Sequence, residues 1–232
     1  MKKISVCIPT YDMHGEGIPF LARSFDMLSE QTFKDFEIVV TDNSENDHIK
    51  NLCENDKYRL LDIKYFKNPR KGIAQNTNEA IKRASGELIK ILYQDDFLAH
   101  QDSLQEIADH FSGQWLVTGC RSDKRTWRTW IKGRNHLPVY DDEKIRVGKN
   151  TIGSPSVLTI KNDDPLLFDE NLTWTLDCDY YARLYQKYGK PTILNAIGVT
   201  IGVGKHQTTN HLSDKMKRKE YDYMLQKYTK MQ

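Results

Sequence analysis

The sequence predicts an α/β protein with a Rossmann-like, mostly parallel sheet flanked by helices. Apolar runs of strand length alternate with amphipathic helical patterns along the first half of the chain, and the polar segments between them are short. The chain has 232 residues, of which 38% are hydrophobic and 28% are charged. This length and composition suit one large globular domain.

The elements of the first half follow each other in strand and helix pairs. Residues 3–8 form a short apolar strand pattern, and apolar residues at helical spacing over 18–28 predict the first helix. The same alternation predicts strands at 36–41, 60–66 and 88–92 and helices at 47–55 and 72–86. Such repeats with short connections are typical of parallel strands joined by crossover helices.

The alternation weakens in the second half. Residues 104–111 have an amphipathic helical pattern, and 115–118 read as a strand. Residues 121–150 are basic and aromatic, with Trp127 and Trp130 among Lys and Arg, and indicate a hairpin or a mobile loop. The remaining predicted elements are a helix at 177–188 that ends at Gly189, a strand at 199–203 and a basic amphipathic helix at 212–232.

Composition excludes several classes of protein. Lys and Arg total 34 against 32 Asp and Glu, so the net charge is only +2 and no nucleic-acid partner is predicted. No apolar run approaches the roughly 20 residues of a membrane-spanning helix. The N-terminal Lys residues lead directly into the first strand, without the apolar segment of a secretory signal. The sequence therefore predicts a cytoplasmic protein.

Polar clusters follow three of the predicted strands, at 9–12, 42–44 and 94–96. The carboxyl ends of parallel strands meet at one edge of the sheet, so we expect these clusters to converge there. The adjacent acids Asp95 and Asp96 would repel each other unless a cation neutralises part of their charge, and Mg²⁺ commonly binds one or two carboxylates together with phosphate. Singly, each cluster also suits an ordinary turn or a helix cap.

In their order and spacing, these clusters resemble the motifs of family-two glycosyltransferases, enzymes with the A-type fold that transfer sugars from nucleotide diphosphates. The resemblance extends from Ile4 to about His211. It implies that Asp96 binds Mn²⁺ or Mg²⁺ and that Asp95 lies nearer the ribose or sugar. Gln94 stands where many members have a further acid. The nucleotide-binding residues implied are Pro9, Thr10, Tyr11, Asp42, Asn43, Gly72, Asn78 and Asp95.

The resemblance also implies roles for residues in the second half of the chain. Ser154 and Ser156 match the family's loop beside the sugar and acceptor, and Asp177 matches the base that accepts the acceptor's proton. Asp179, also a candidate contact to acceptor or sugar, would be the base if the register differs, and Asp177 alternatively caps the following helix. Lys205 is the predicted phosphate contact, and His206 is a predicted metal ligand.

Three regions of one domain follow from this assignment. Residues 1–120 would bind the nucleotide sugar, 121–211 would hold the acceptor and the base, and 212–232 would form the basic helix. The basic helix suits either contact with an anionic membrane surface or packing on its own domain, and we favour packing. Trp127 and Trp130 suit acceptor stacking or packing better than single-stranded nucleic acid.

The implied reaction is metal-assisted transfer of one sugar, with inversion, from a nucleotide-diphosphate sugar to a hydroxyl acceptor. A UDP-sugar is the favoured donor, and a glycan, lipid-linked glycan or glycoprotein is the expected acceptor. Two alternatives remain. Gln94 and Leu176 stand where relatives often have acids, which would suit a non-catalytic carbohydrate or nucleotide-sugar binding module. A metal-dependent nucleotidyltransferase also needs acids beside a triphosphate.

Overall fold

The computed structural model describes residues 3–123, 125–126, 129–130 and 134–229. These residues form a nine-stranded sheet flanked by helices, together with a separate two-stranded hairpin. The strands are β1 (Ile4–Thr10), β2 (Phe36–Asp42), β3 (Ile63–Lys67), β4 (Leu88–Ile91), β5 (Phe97–Leu98), β6 (Trp115–Asp123), β7 (Arg125–Thr126), β8 (Thr129–Trp130), β9 (Asn135–His136), β10 (Leu158–Lys161) and β11 (Thr192–Gly202). The helices are α1 (Gly17–Ser29), α2 (His48–Cys53), α3 (Ile73–Arg83), α4 (Ser103–His110), α5 (Asp142–Arg146), α6 (Leu176–Tyr188), α7 (Thr208–His211) and α8 (Asp214–Thr229).

The first half of the sheet is parallel, as predicted. Strands β3, β2, β1 and β4 lie side by side in that order, and all three of these pairings are parallel. Every residue of β1, β2 and β4 is buried, because helices cover both faces of such a sheet. The carboxyl ends of these strands therefore meet at one edge, which confirms the predicted α/β class and places the polar clusters there.

The second half makes the sheet mixed. Strand β10 lies antiparallel between β4 and β6, β11 is parallel to β6, and β5 pairs antiparallel with β11. Neither β10 nor β5 was predicted. With four and two residues respectively, they are too short to give a period-two pattern that stands out from a loop.

Several element boundaries also differ from the predictions. Strand β3 begins at Ile63 rather than at residue 60, since Leu60 is 92% exposed in the preceding turn. Strand β11 begins at Thr192, and irregular pairing between Leu194 and Ile197 obscures its pattern. Within 121–150, where a hairpin or a mobile loop was predicted, β7 and β8 form a hairpin, and the short helix α5 was missed. Trp127 and the side chain of Trp130 lie outside the described residues.

The C-terminal helix α8 packs on its own domain. Its side chains Glu220, Met224 and Tyr228 are buried, while most of its basic residues are exposed. Of the helices in the described part of the chain, none is both long and apolar enough to cross a membrane. The structure thus favours the packed interpretation of α8, and its contact with a membrane stays a prediction.

A buried carboxylate joins the parallel strands at the edge opposite the polar clusters. Glu37 in β2 accepts hydrogen bonds from the Ser5 hydroxyl of β1 (2.6 Å) and from the backbone N–H of Ser85 (2.7 Å), and it pairs with Lys64 of β3. Burial alone would raise the pKa of Glu37, but these hydrogen bonds lower it to about 2. The ionised carboxylate therefore stabilises the pairing of three strands.

Replacing Glu37 with Gln tests this role. The amide keeps the shape of the side chain but presents an N–H₂ group to donors, so we expect the free energy of unfolding at pH 7 to fall by about 2 kcal/mol. Because the native pKa of Glu37 is depressed, its stabilisation is present above the unfolded value near 4.5 and is lost as the pH falls toward 2. The difference between wild type and Glu37→Gln should shrink across that interval. Urea unfolding at several pH values measures it.

The matched control is Glu87→Gln. Glu87 pairs with Lys3 at the surface, where water screens the interaction, so the same chemical change should alter stability little. Equal losses in the two variants would contradict a special role for Glu37.

Candidate functional site

The polar clusters converge on one open cavity of about 580 Å³ at the carboxyl edge of the parallel strands. This volume is typical of a site for a small molecule. One wall comes from the ends of β1, β2 and β4, and the facing wall comes from the segments around 154, 174 and 206. The predicted site residues that line it are Pro9, Thr10, Tyr11, Asn43, Gly72, Asp95, Asp96, Ser154, Asp177 and His206.

Asp96 is a buried acid at the centre of this edge, with 2% of its surface exposed. One carboxylate oxygen accepts from the backbone N–H of Gly202 (2.9 Å), and the other accepts from the Ser154 hydroxyl (3.2 Å). Burial, together with the neighbouring charge of Asp95, raises the pKa of Asp96 to about 8. The two hydrogen bonds thus compensate its negative charge only in part.

Asp95 is held through its backbone as well as its side chain. Arg23 of α1 donates to the Asp95 carbonyl oxygen (2.6 Å), and His206 lies 3.1 Å from the Asp95 carboxylate. The hydrogen bond to Asp95 raises the pKa of His206. A Cβ atom on Gly202 would lie 2.3 Å from the same carbonyl oxygen, so only glycine fits there.

The acids suit a divalent cation that takes most of its ligands from elsewhere. Within the described residues, no three His, Cys, Asp or Glu side chains are grouped to hold a metal between them. His206, predicted as a ligand beside Asp96, contacts Asp95 instead. Magnesium-like ions commonly bind one or two carboxylates and complete their shell with phosphate and water, which fits this donor set.

Gln94 lies next to the acids and joins the two ends of a loop. Its side-chain oxygen accepts from the Tyr11 backbone N–H (2.9 Å), and its amide nitrogen donates to the Gly17 carbonyl (2.8 Å). Gln94 is only 4% exposed, and a Cβ atom on Gly17 would lie 2.7 Å from its amide nitrogen. The amide supplies both the donor and the acceptor that these two contacts require. Gln94 therefore fixes both ends of the 11–17 loop beside Asp95.

Of the residues predicted to bind the nucleotide, some line the cavity wall and others support that wall from behind. Tyr11 is 45% exposed in the cavity wall. Asn43 also lines the cavity, and its amide donates to the backbone carbonyls of Asn68 (2.8 Å) and Arg70 (3.0 Å). Gly72 lies at the start of α3 with a φ of +127°, a conformation that side chains disfavour.

Asp42 and Asn78 do not line the cavity. Fully buried Asp42 accepts from Ser44 (2.8 and 2.5 Å) and from the Tyr65 hydroxyl (2.8 Å), and it pairs with Lys67 (3.3 Å). Asn78 exchanges hydrogen bonds with the backbone of Phe168 (2.9 and 2.7 Å). Their direct contacts with a nucleotide stay predictions, and in this structure both side chains support the walls from behind.

Asp177 lies half-buried at the start of α6 and faces the cavity. Its two oxygens accept from the Asn150 amide (2.5 Å) and from the backbone N–H of Cys178 (2.7 Å). Burial raises the pKa of Asp177 to about 6, although both hydrogen bonds act to lower it. A carboxylate with such a pKa, fixed by two donors, is suited to accept a proton near neutral pH.

The other acceptor-side predictions lie behind or beside the wall. Asp179 is fully buried and pairs with Arg183 (2.7 Å) and Lys227 (2.7 Å), so it faces away from the cavity. The Ser156 hydroxyl is also buried and accepts from the backbone N–H of Tyr93 (2.8 Å). Lys205 is exposed and does not line the cavity, although its neighbour His206 does.

Sequence analysis missed Arg23, Lys90 and Asn150, which fix the site through contacts distant in sequence. Lys90 of β4 is fully buried, and its ammonium donates to the Ser156 carbonyl. Burial lowers the pKa of Lys90 to about 7. A Lys within an otherwise apolar strand was the one available signal, since Lys is rarely buried without a reason. Nothing in the local patterns marks Arg23 or Asn150.

Comparison with known proteins identifies a family. The profile described as "Glycosyl transferase family 2" matches residues 5–160, well over half of the 232-residue chain. A GalNAc(5)-diNAcBac-PP-undecaprenol beta-1,3-glucosyltransferase of Campylobacter jejuni is 34% identical over 100 residues. That match covers 42% of this chain and 31% of the Campylobacter protein, so the similar region is under a third of the relative's length.

Solved structures share the fold. Staphylococcus aureus TarS 1-349 in complex with UDP-GlcNAc matches with a TM-score of 0.66 and 19% identity, over 91% of this chain and 61% of that one. The mannosyltransferase PcManGT from Pyrobaculum calidifontis, in complex with GDP-Man and Mn²⁺, matches with a TM-score of 0.60 and 15% identity, over 90% and 59% of the two chains. At these identities the likeness establishes the fold alone.

The Gln94→Glu substitution distinguishes a loop clamp from a metal ligand. A carboxylate still accepts from Tyr11 but cannot donate to the Gly17 carbonyl, so we expect a loss of about 1–3 kcal/mol in the free energy of unfolding. Urea unfolding measures the loss, and thermal unfolding with and without added UDP and Mn²⁺ tests ligand binding, because residues of the loop line the cavity.

The control for this variant is Gln226→Glu, the same change at an exposed position of α8, which should leave both measurements unaltered. A Gln94→Glu protein that is fully stable and binds Mn²⁺ more tightly would show instead that this position faces the metal.

Proposed function

Because the chain belongs to glycosyl transferase family 2, we propose that it transfers a single sugar from a nucleotide-diphosphate sugar to a hydroxyl acceptor with inversion. The observation that carries this proposal is the placement of Asp96 and Asp177 on the walls of one cavity. One buried acid faces the side where a diphosphate would bind, and the second is poised to accept a proton. These are the two roles that a direct displacement requires.

The relatives support the proposed classes of donor and acceptor. TarS has been solved with UDP-GlcNAc, which supports a UDP-sugar as donor. The Campylobacter relative is named for an undecaprenol-diphosphate-linked glycan acceptor, which supports a glycan or lipid-linked glycan here. Tyr11, exposed in the wall at the end of β1, would contact the base, and Asn43 would lie near it.

The proposed cofactor is Mn²⁺ or Mg²⁺, held by Asp96 with Asp95 and His206 close by. The partly compensated charge of two adjacent acids favours a cation, and PcManGT was solved with Mn²⁺. When bound, the ion would act as a Lewis acid on the departing diphosphate. Ser154 and the Gly202 N–H would keep the Asp96 carboxylate oriented toward the cavity.

In the proposed mechanism, ionised Asp177 accepts the proton of the acceptor hydroxyl as that oxygen attacks the anomeric carbon. Attack on the face opposite the leaving diphosphate inverts the configuration. The Asn150 amide and the Cys178 N–H hold the carboxylate in one orientation throughout. Asp177 would thus accept the proton without having to reorient.

We also propose a cytoplasmic location with peripheral contact to a membrane. The exposed side of α8 carries Lys215, Arg218 and Lys219, which an anionic surface would attract. A lipid-linked acceptor such as that of the Campylobacter relative would bring the reaction to such a surface.

A pair of variants separates the two proposed roles. Asp177→Asn should abolish transfer while keeping the Mn²⁺-dependent thermal stabilisation by UDP, because only the base is removed. Asp96→Asn should lose that stabilisation as well. Transfer is measured as UDP release from UDP-GlcNAc and UDP-glucose, with octyl glycosides as hydroxyl acceptors.

Wild-type turnover in Asp177→Asn would contradict the assignment of the base. Release of pyrophosphate from UTP and a sugar 1-phosphate, without release of UDP from the UDP-sugars, would identify a nucleotidyltransferase. Binding of UDP without turnover for any donor and acceptor would identify a binding module.

The pH dependence of transfer tests the environment of the base. The ionised form of Asp177 is the active one, so kcat/KM should rise with pH through an apparent pKa of about 6. The side chain introduced by Asn150→Asp can still accept hydrogen bonds from the backbone N–H groups of Ile152 and Gly153. It also places a second carboxylate against Asp177. Like charges favour the protonated form, so the apparent pKa should rise and activity at pH 6 should fall more than at pH 8.

The same substitution at exposed Asn195 should leave the pH profile unchanged. An unshifted profile in Asn150→Asp would mean that Asp177 is not the group whose ionisation controls the rate.

A further inference from the structure

Glu220 is a buried acid in the C-terminal helix that none of the proposed chemistry uses. It is 8% exposed and lies on the face of α8 that packs against the domain. One of its oxygens accepts from the Thr173 N–H (3.0 Å). The other accepts from the N–H groups of Trp174 (2.8 Å) and Thr175 (2.9 Å) and from the Thr175 hydroxyl (3.2 Å). A single carboxylate thus fixes three consecutive peptide groups.

The segment that Glu220 holds forms part of the cavity wall. Thr173 and Trp174 line the cavity, and so do Leu176 and Asp177 directly after them. Thr175 occupies the N-cap position of α6, where a Thr hydroxyl commonly accepts from its own helix, but here it donates to Glu220. The start of the helix that carries Asp177 is therefore held by a side chain 45 positions further along the chain.

Two further residues of α8, Lys227 and Tyr228, keep Glu220 in place. Lys227 pairs with Asp169 (2.8 Å) and with Asp179 (2.7 Å), on either side of the held segment. The Tyr228 hydroxyl donates to the Asp179 carboxylate (2.8 Å). Because several ionic contacts fix α8 to both flanks of 173–175, the Glu220 carboxylate approaches the peptide groups in one orientation.

We propose that Glu220 is a positioning residue for the acceptor side of the cavity, holding Thr173–Thr175 so that Trp174 and Asp177 face the acceptor. This inference rests on the proposed function and extends it to α8, which becomes part of the site. In the proposed function, the donor binds at the ends of β1, β2 and β4 and at the metal site beside Ser154 and His206, apart from 173–175. Loss of the Glu220 carboxylate should therefore impair the acceptor step and spare binding of UDP.

The test compares Glu220→Gln with Asp222→Asn, the same carboxylate-to-amide change at an exposed position of the same helix. In Glu220→Gln an NH₂ group replaces one carboxylate oxygen. This donor then faces backbone N–H groups, which are donors themselves, so hydrogen bonds are lost. Because small displacements of reacting groups cost up to about 100-fold, kcat/KM for octyl glycoside acceptors should fall by about 10- to 100-fold. Mn²⁺-dependent thermal stabilisation by UDP should stay at the wild-type level, and Asp222→Asn should match the wild type throughout.

Hydrogen exchange gives a readout that does not depend on activity. The amides of 173–175 should exchange faster in Glu220→Gln than in the wild type, while those in the middle of α6 stay protected. If Glu220→Gln does not fold, Thr175→Val removes one of the four hydrogen bonds and should give the same local effects at smaller size.

Faster exchange at 173–175 with unchanged acceptor kinetics would overturn the proposal, and so would equal losses of UDP binding and of transfer. A wild-type protein without transfer activity would refute the proposed function instead. Unchanged exchange at 173–175 would refute the role of Glu220 whatever the activity.

Discussion

The burial of Asp96 is the constraint on which the rest of the site depends. Its carboxylate sits where β4, the end of β11 and the loop before β10 meet, and it accepts one hydrogen bond from each of the latter two. A buried carboxylate without sufficient compensation destabilises the folded state, so these segments must be held closely against it. The antiparallel insertion of β10 between β4 and β6 brings Ser154 to this position. The antiparallel strand of the mixed sheet thus positions a residue of the candidate site.

Around Asp96, many of the buried polar side chains form hydrogen bonds that hold the backbone in place. Arg23 binds the Asp95 carbonyl, Gln94 binds both ends of the 11–17 loop, and Lys90 binds the Ser156 carbonyl. Each contact restrains a peptide group beside the acids and leaves the carboxylates themselves facing the cavity. Such preorganisation limits how much the site must rearrange when a charged substrate arrives.

The sequence predicted well which residues meet at the carboxyl edge of the sheet, because that edge depends on local patterns. Apolar runs mark β1, β2 and β4, and the residues directly after a parallel strand fall at the sheet edge whatever the tertiary detail. It could not predict that Asp42 would turn to Ser44 and Tyr65, or that Asn78 would bind Phe168, 90 positions away. Those outcomes depend on which side chains meet across the fold. Strand β10 escaped prediction because four residues carry too little periodicity.

The two walls of the cavity are held by different kinds of interaction. The wall at the carboxyl edge continues buried parallel strands, whose ladders end at Thr10, Asp42 and Ile91. Side chains such as Arg23 and Gln94 hold the residues that follow. The acceptor wall has no such ladder at 173–175, and it depends on Glu220, Asn150 and the ion pairs of Lys227. Side-chain contacts change more readily than a sheet does when residues are substituted. This division leaves the wall at 173–175 dependent on contacts that single substitutions can remove, while the edge formed by β1, β2 and β4 keeps its backbone ladders.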